Sequence, residues 1–289
     1  MNNSSIDSRT FQRSSDVTSL HIEEEGRIKA LPRDWKYLDW SYIFAPAGGI
    51  NSNITDMSKW LRLQMHGGSF VGKELVSREN LEFLHTPKIL TSTLEAIKEY
   101  YCESWIYREY CPHSIIWHNG GTIGCKTMIA FIPQDEIGIV VLSNLISDLP
   151  DTLAFRFFDL YYGKPDRDWS AEHLAKAKEA KKKERAARPK RPASPTPPLA
   201  LASYAGRYQN AVYGTIDLTV QNGALEISIG PKKFKVTLDH IDKNTFAVSL
   251  PEFTNDFGTA EFDVEAPAKV ISLTLSNLNN DGCGVFKKI

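Results

Sequence analysis

Cysteine is scarce here and poorly placed for metal or redox chemistry. The chain has four, Cys102, Cys111, Cys125 and Cys283, and no Cys-x-x-Cys pair, which excludes the common zinc and dithiol patterns. They read as buried or incidental thiols, and a Cys102–Cys111 disulfide would need an oxidising compartment. His21, His66, His85, His113, His173 and His240 are scattered, with no His-Glu-x-x-His. A glycine-rich phosphate loop is also missing, so no cofactor and no metal is called for. Charge of one sign is missing as well. A net charge of −1 gives no reason to expect nucleic acid or an anionic membrane as partner. No apolar run reaches the roughly 18 residues of a membrane span, and the polar start "MNNSSIDSRTFQRSS" carries no secretory h-region.

What is present is ordinary globular material, 289 residues with 42% hydrophobic and 24% charged side chains. That amount of chain makes one large or two ordinary domains. Residues 171–191 hold nine Lys/Arg against three Glu and are rich in alanine. They read as a solvated helix, and without interleaved aromatics they do not read as a nucleic-acid surface. "PASPTPPL" at 192–199 is stiff, extended linker. The expected organisation is a mixed domain over 1–170, a basic helical and Pro-rich linker over 171–199, and an all-β domain over 200–289.

After residue 200 the period is two. Ile216/Leu218/Val220 and Leu225/Ile227/Ile229 flank Asn222-Gly223, a dipeptide suited to the positive φ angles of a tight hairpin. Phe234/Val236/Leu238, Phe246/Val248/Leu250, Ala260/Phe262/Val264 and Ile271/Leu273/Leu275 bring the total to six candidate strands. That is enough for a small antiparallel barrel or sandwich. Before residue 170 helix and strand alternate. "NSNITDMSKWLRLQMHGG" sets Met57, Trp60, Leu61 and Met65 at helical spacing, and "SRENLEFLHTP" is a short helix capped by Ser77. Strands are expected at 101–108, 124–132 and 137–143. "LPDTLAFRFFDLYYG" closes the segment as an amphipathic helix with Leu153, Phe157, Leu160 and Tyr161 on one face. The picture is an antiparallel sheet with helices packed on it.

The chemistry concentrates in "IIWHNGGTIGCKTMIAFIPQDEIGIVVLSN", residues 115–144. Gly120 and Gly121 at a strand start leave the backbone open to approach. An exposed N–H there, beside the His118 imidazole, can hold an oxygen on which charge develops. A hairpin turn with a structural histidine fits the same spacing. Cys125 reads as a packing residue; a Cys125 nucleophile paired with His118 is the alternative.

"APAGGINSNITDMSKWLRLQMHGG" followed by "IWHNGGTIGCKTMIAFIPQDEIGIVVLSN" resembles the second half of a serine β-lactamase-related catalytic domain. That superfamily includes class C β-lactamases, penicillin-binding proteins and related esterases. The resemblance rests on Pro46–Gly49 with Ser52 and Asp56, on His118-Asn119-Gly120 as a His-x-Gly third motif, on the strand 139–144 and on the helix 150–162. It implies an α+β fold, an antiparallel sheet flanked by helices, followed by the appended small β domain. It also implies acyl transfer on a β-lactam, D-amino-acid peptide or ester. By that match the Gly121 N–H is an oxyanion donor, His118 shapes the pocket or assists proton transfer, and Asn119 and Thr122 lie against substrate.

The family's serine sits in S-x-x-K, its lysine helping to remove the proton. No serine in this sequence has a lysine three positions later, and the one Y-x-N, Tyr208-Gln209-Asn210, falls in the β domain. The expectation is therefore a C-terminal part of such a hydrolase, inactive and prone to self-association without the nucleophile half. A natural truncated protein that binds cell-wall peptide or glycan is the alternative. Family members act in the periplasm or outside the cell, which is the only pointer to location.

Overall fold

The computed structural model describes residues 1–24, 26–35, 37–94, 97–110, 112–231, 233–249 and 257–289. Cys111 and Leu250 lie outside them. Two compact units result, Met1–Ala177 and Lys178–Ile289.

The first unit is organised by helix α1 (Ile54–Met65), helix α2 (Arg78–His85) and a six-stranded antiparallel sheet. Local chemistry sets the helix starts. The Asn53 side chain accepts the Asp56 N–H at 2.9 Å, and Ser77 accepts the Asn80 N–H at 3.3 Å. After α1, Gly67 and Gly68 take φ of 60° and 87° and turn the chain. A side chain at Gly68 would put its Cβ 2.0 Å from the Val76 carbonyl, so only glycine fits.

The strands are β1 (Ile89–Leu94), β2 (Ile97–Tyr101), β3 (Ile106–Arg108), β4 (Ile115–Thr122), β5 (Cys125–Ile132) and β6 (Ile137–Ser143), each paired with its chain neighbours. This corrects the single strand expected over 101–108. Ser104 adopts φ 64° and the Cys102 N–H donates to the Trp105 carbonyl at 2.8 Å, so the run folds back as two strands. It also corrects the placing of Gly120 and Gly121, which end β4 rather than begin a strand.

Side chains alternate across the sheet. Leu61, Cys102, Trp105, Ile116 and Phe131 pack on the face covered by α1, with Cys102 a buried free thiol. Tyr110, Ile115, Trp117, Met128, Ala130 and Ile132 pack on the other, under helices α3 (Leu149–Tyr161) and α4 (Trp169–Ala187). Helix α3 buries a different face from the one expected, of whose four residues Phe157 alone packs against the core. Asp151, Thr152, Ala154, Phe155, Phe158 and Asp159 are inside, while Leu153, Leu160 and Tyr161 are exposed. The two aspartates hid the buried stripe, and both have tertiary partners. Asp159 accepts from the Tyr110 hydroxyl and the Trp169 indole N–H, and Asp151 from the Asn119 carboxamide.

His85 gives this unit a pH dependence. Burial alone pushes its pKa down from 6.5 to about 4, and its ring meets Gln64 Oε1 at 2.9 Å. Between those two values the unfolded chain binds a proton that the folded chain refuses, so stability is full above pH 6.5 and is lost as pH falls toward 4. Thermal melts at pH 7 and pH 4.5 are expected to show that loss, with His85→Phe flattening it. A variant as acid-sensitive as the parent would contradict this assignment.

The second unit contains a closed antiparallel barrel of β7 (Gly206–Asn210), β8 (Gly214–Gln221), β9 (Ala224–Ile229), β10 (Phe234–Asp242), β11 (Thr245–Ser249), β12 (Phe257–Glu265), β13 (Lys269–Leu275) and β14 (Val285–Lys288). Closure by β7 and β14, which the sequence pattern did not show, decides barrel over sandwich. Asn222 and Gly223 take φ of 50° and 78° and join Gln221 to Ala224 as expected. Tyr204, Tyr208, Phe246 and Phe286 are fully buried in the barrel core. The Tyr208 hydroxyl donates to the Tyr204 carbonyl at 2.5 Å and burial pushes its pKa up, so this Y-x-N tyrosine is core.

Candidate active site

The hairpin β4–β5 and the end of β3 build the candidate site. Hydrogen-bonded and non-bonded pairs alternate along an antiparallel ladder. The Cys102–Trp105 bond therefore leaves the backbone groups of Ile106 to face Trp117, its partner on β4. Every second residue of β4 then points the same way, so the N–H and C=O of Asn119 and Gly121 lie on the β3 side. Pairing with β3 stops at Trp117, while pairing with β5 continues to Thr122 and Cys125. Among the described residues no strand faces the Asn119 and Gly121 backbone groups, and Gly120 and Gly121 are both exposed.

His118 stands on the α1 face of this open edge. Its Nδ1 meets the Asn119 carbonyl at 2.5 Å, which makes Nδ1 the donor. Nε2 is left as an acceptor for the Tyr101 hydroxyl at 3.4 Å, the two rings meeting edge to face with centroids 6.0 Å apart. Gly120 lies between His118 and Thr122 on the same face. A Cβ there would sit 2.9 Å from Thr127 Oγ1, so the missing side chain leaves that hydroxyl room. At Gly121 a Cβ would meet Ile146 at 3.5 Å, Lys126 at 3.8 Å and the Cys125 carbonyl at 4.0 Å, all ordinary contacts, so packing does not demand glycine, and its absence keeps the edge clear.

The other residues named from the sequence are divided by the strand alternation. Thr122 shares the His118 face, with its hydroxyl 2.8 Å from Cys125 Sγ. Asn119 is carried to the opposite face, where its carboxamide donates to Asp151 Oδ1 at 2.6 Å. Lys126 Nζ lies 3.5 Å from the other Asp151 oxygen. Asn119 thus anchors β4 to α3, and only its backbone reaches the open edge. Cys125 is opposite Thr122 while His118 is opposite Ile129, about 13 Å along the ladder at ~3.3 Å per residue. A Cys125–His118 pair is not formed.

The segment before α1 is pinned independently. Asp56 is buried and takes the Asn3 N–H at 2.8 Å, Ser4 Oγ at 2.9 Å and Lys59 Nζ at 3.0 Å. Burial raises its pKa, but the bonds from Lys59, Asn3 and Ser4 outweigh this and hold it at about 2. Ser52 Oγ lies 2.9 Å from Ser4 Oγ and belongs to the same network. Among the described residues no group of three or more His, Cys, Asp and Glu is placed to hold a metal ion. No described helix is long and apolar enough to cross a membrane.

Tyr101 and Thr127 were not read from the sequence as part of this site. Tyr101 was placed inside one strand, and only the turn at 102–105 brings it to His118. Thr127 was legible: pairing Thr122 with Cys125 across a two-residue turn puts it opposite Gly120.

Comparison with known proteins adds the following. Residues 1–154 match the family model described as Beta-lactamase, and residues 190–282 match a domain of unknown function, DUF3471. Unguisins hydrolase ungD' of Aspergillus campestris is 28% identical over 180 residues, 58% of this chain and 33% of that protein. Unguisins hydrolase ungD of Aspergillus violaceofuscus is 29% identical over 168 residues, 52% of this chain and 30% of that protein. The chain thus spans about a third of the length of these curated relatives. Among solved structures, the octameric penicillin-binding protein homologue from Pyrococcus abyssi aligns over 95% of this chain and 55% of its own, with 19% identity and a TM-score of 0.49.

Proposed function

Since this chain belongs to the β-lactamase family, with more than half its length matched, we propose that residues 118–122 form one wall of a serine acyl-transfer site. The observation that carries this reading is the open end of β4, where, among the described residues, no strand pairs with the Gly121 N–H beside His118. In such a reaction a serine oxygen attacks a carbonyl and the electron pair moves onto the carbonyl oxygen. The Gly121 N–H stabilises that oxyanion, together with the attacking serine's own N–H. His118 accepts a proton at Nε2, while Nδ1, bonded to the Asn119 carbonyl, fixes the ring. The substrate is an amide, ester or β-lactam carbonyl, and relatives named as hydrolases agree with that class.

The serine of an S-x-x-K motif is not among these residues, so the wall acts with a nucleophile brought by other polypeptide. Labelling with a fluorophosphonate and a fluorescent penicillin tests this. The 289 residues alone are expected to form no adduct. Coexpression with the S-x-x-K-bearing half of a β-lactamase-family hydrolase is expected to give one, on that half. An adduct on this chain alone would refute the reading. Reversible penicillin binding that never becomes covalent, even with that half present, would favour a binding protein for cell-wall peptide or glycan.

A second expectation concerns association. Among the described residues no strand joins the outer edge of β6 in the sheet, and Leu142, Leu153, Leu160 and Tyr161 are exposed nearby in the chain. Open edges and apolar faces of this kind recruit further chain. Sedimentation across a concentration series is expected to show self-association, suppressed by the complementing half. A sharp, reversible monomeric melt would count against it.

A further inference from the structure

The open edge that exposes the Gly121 N–H also deprives it of support. From His118 to Thr122, among the described residues, β4 is paired on one side only, with β5, because β3 stops opposite Trp117. An edge residue has one ladder of hydrogen bonds where an interior residue has two. Yet an oxyanion donor works only when its direction is fixed before charge develops, and a misplacement of about 1 Å costs about 10²-fold in rate. Something other than a second strand must hold this end of β4.

The support comes from behind the sheet. Asp151, in the first turn of α3, is 7% exposed. One of its carboxylate oxygens accepts from the Asn119 carboxamide at 2.6 Å, and the other lies 3.5 Å from Lys126 Nζ. Among the described residues that second oxygen makes no hydrogen bond, so Lys126 meets it as a charge. These two partners bracket the oxyanion residue. Asn119 stands two positions before Gly121 on β4, and Lys126 is paired with Gly121 across the ladder. Alternation puts all three on the α3 face, away from His118. The Lys126 stem lies along Gly121, where an added Cβ would be 3.8 Å from Lys126 Cδ. One buried charge thus grips both strands of the hairpin at the level of the Gly121 N–H. Asn119 carries the hold to His118 as well, since its carbonyl lies 2.5 Å from Nδ1. A carboxylate in the first turn also suits the helix dipole, but that role would leave Asp151 facing water, and instead it faces the hairpin.

We propose that Asp151 is a positioning residue for the oxyanion donor, its carboxylate holding the Gly121 N–H in place through Asn119 and Lys126. The role rests on the acyl-transfer reading of the β4 edge.

The test reads position and chemistry separately. In the ¹⁵N-labelled chain alone, the Gly121 amide resonance is followed in Asp151→Ala and Asp151→Asn, with the melting temperature as the check on folding. Asp151→Ala is expected to shift and broaden that signal while the barrel amides stay in place. Asp151→Asn keeps an acceptor for Asn119 and loses only the pull on Lys126, so its signal is expected nearer the parent's. In the complemented enzyme, Asp151→Ala is expected to lower kcat about 10²-fold with KM within about twofold, as for an interaction made only in the transition state. Asp151→Asn is expected to recover about tenfold of that loss, the worth of the retained bond. A merely destabilised helix would reduce the number of sites labelled by fluorophosphonate and leave turnover per labelled site unchanged. An unmoved Gly121 amide in folded Asp151→Ala, or a parental kcat per labelled site, would overturn the positioning role. Absence of any adduct in the complemented parent would refute the acyl-transfer reading itself, and this role with it.

Discussion

Replacing Asp159 by leucine is expected to destabilise the first unit by about 2–6 kcal/mol. Leucine is similar in size and keeps the helix, so the effect isolates the carboxylate. In the native chain that carboxylate is 4% exposed and receives two donors, the Tyr110 hydroxyl and the Trp169 indole N–H. Burial and the bond to Asp159 push the Tyr110 pKa up, as a donor held to a carboxylate requires. Leucine leaves both donors buried without an acceptor, at about 1–3 kcal/mol each. Arg108 also loses a favourable carboxylate. Against a typical total of about 5–15 kcal/mol, this is a large fraction. Denaturant unfolding followed by tryptophan fluorescence would measure it. A midpoint within error of the parent would mean that Asp159 is not what ties α3, α4 and Tyr110 together.

Gly121→Pro is expected to lower turnover by about 10²–10³-fold in the complemented enzyme, the usual cost of one oxyanion donor. The substitution deletes the N–H and little else. That N–H lies on the side of β4 where β3 has ended, so no ladder bond is lost, and proline is tolerated at an edge. Gly121→Ala is the matched control. It retains the N–H, and its Cβ makes only ordinary contacts, the nearest with Ile146 at 3.5 Å, so activity is expected to stay close to the parent. A proline variant that folds and turns over normally would remove Gly121 from the oxyanion site. An alanine variant as impaired as proline would assign the effect to crowding at the edge.

The helix starts were legible because they are short-range: Asn53 and Ser77 act on residues three positions away. Asn222-Gly223 was legible for the same reason, since its dihedral demand is local. The strands of the barrel followed from period-two burial, which each strand carries by itself. Helix α3 was misread where local pattern and tertiary context disagree. Its buried face contains Asp151 and Asp159, which look like solvent-facing residues until Asn119, Lys126, Tyr110 and Trp169 are placed beside them.

The sequence by itself determined the mixed α+β character of the first unit, the β-rich character of the second and the family. These rest on neighbours within a few positions or on a contiguous motif. Tertiary structure decided the rest. The two-way ladder that ends at Trp117 frees the Gly121 N–H, and no residue near Gly121 in sequence encodes where β3 stops. Strand alternation sends His118 and Thr122 to one face and Asn119 to the other. The hold behind the sheet exists because residues far apart in sequence, Asn119 and Lys126 on the strands and Asp151 on α3, converge on one carboxylate. Hydrogen bonds and packing act through space over a few ångströms, so a site assembled from distant segments becomes visible only when the chain is folded.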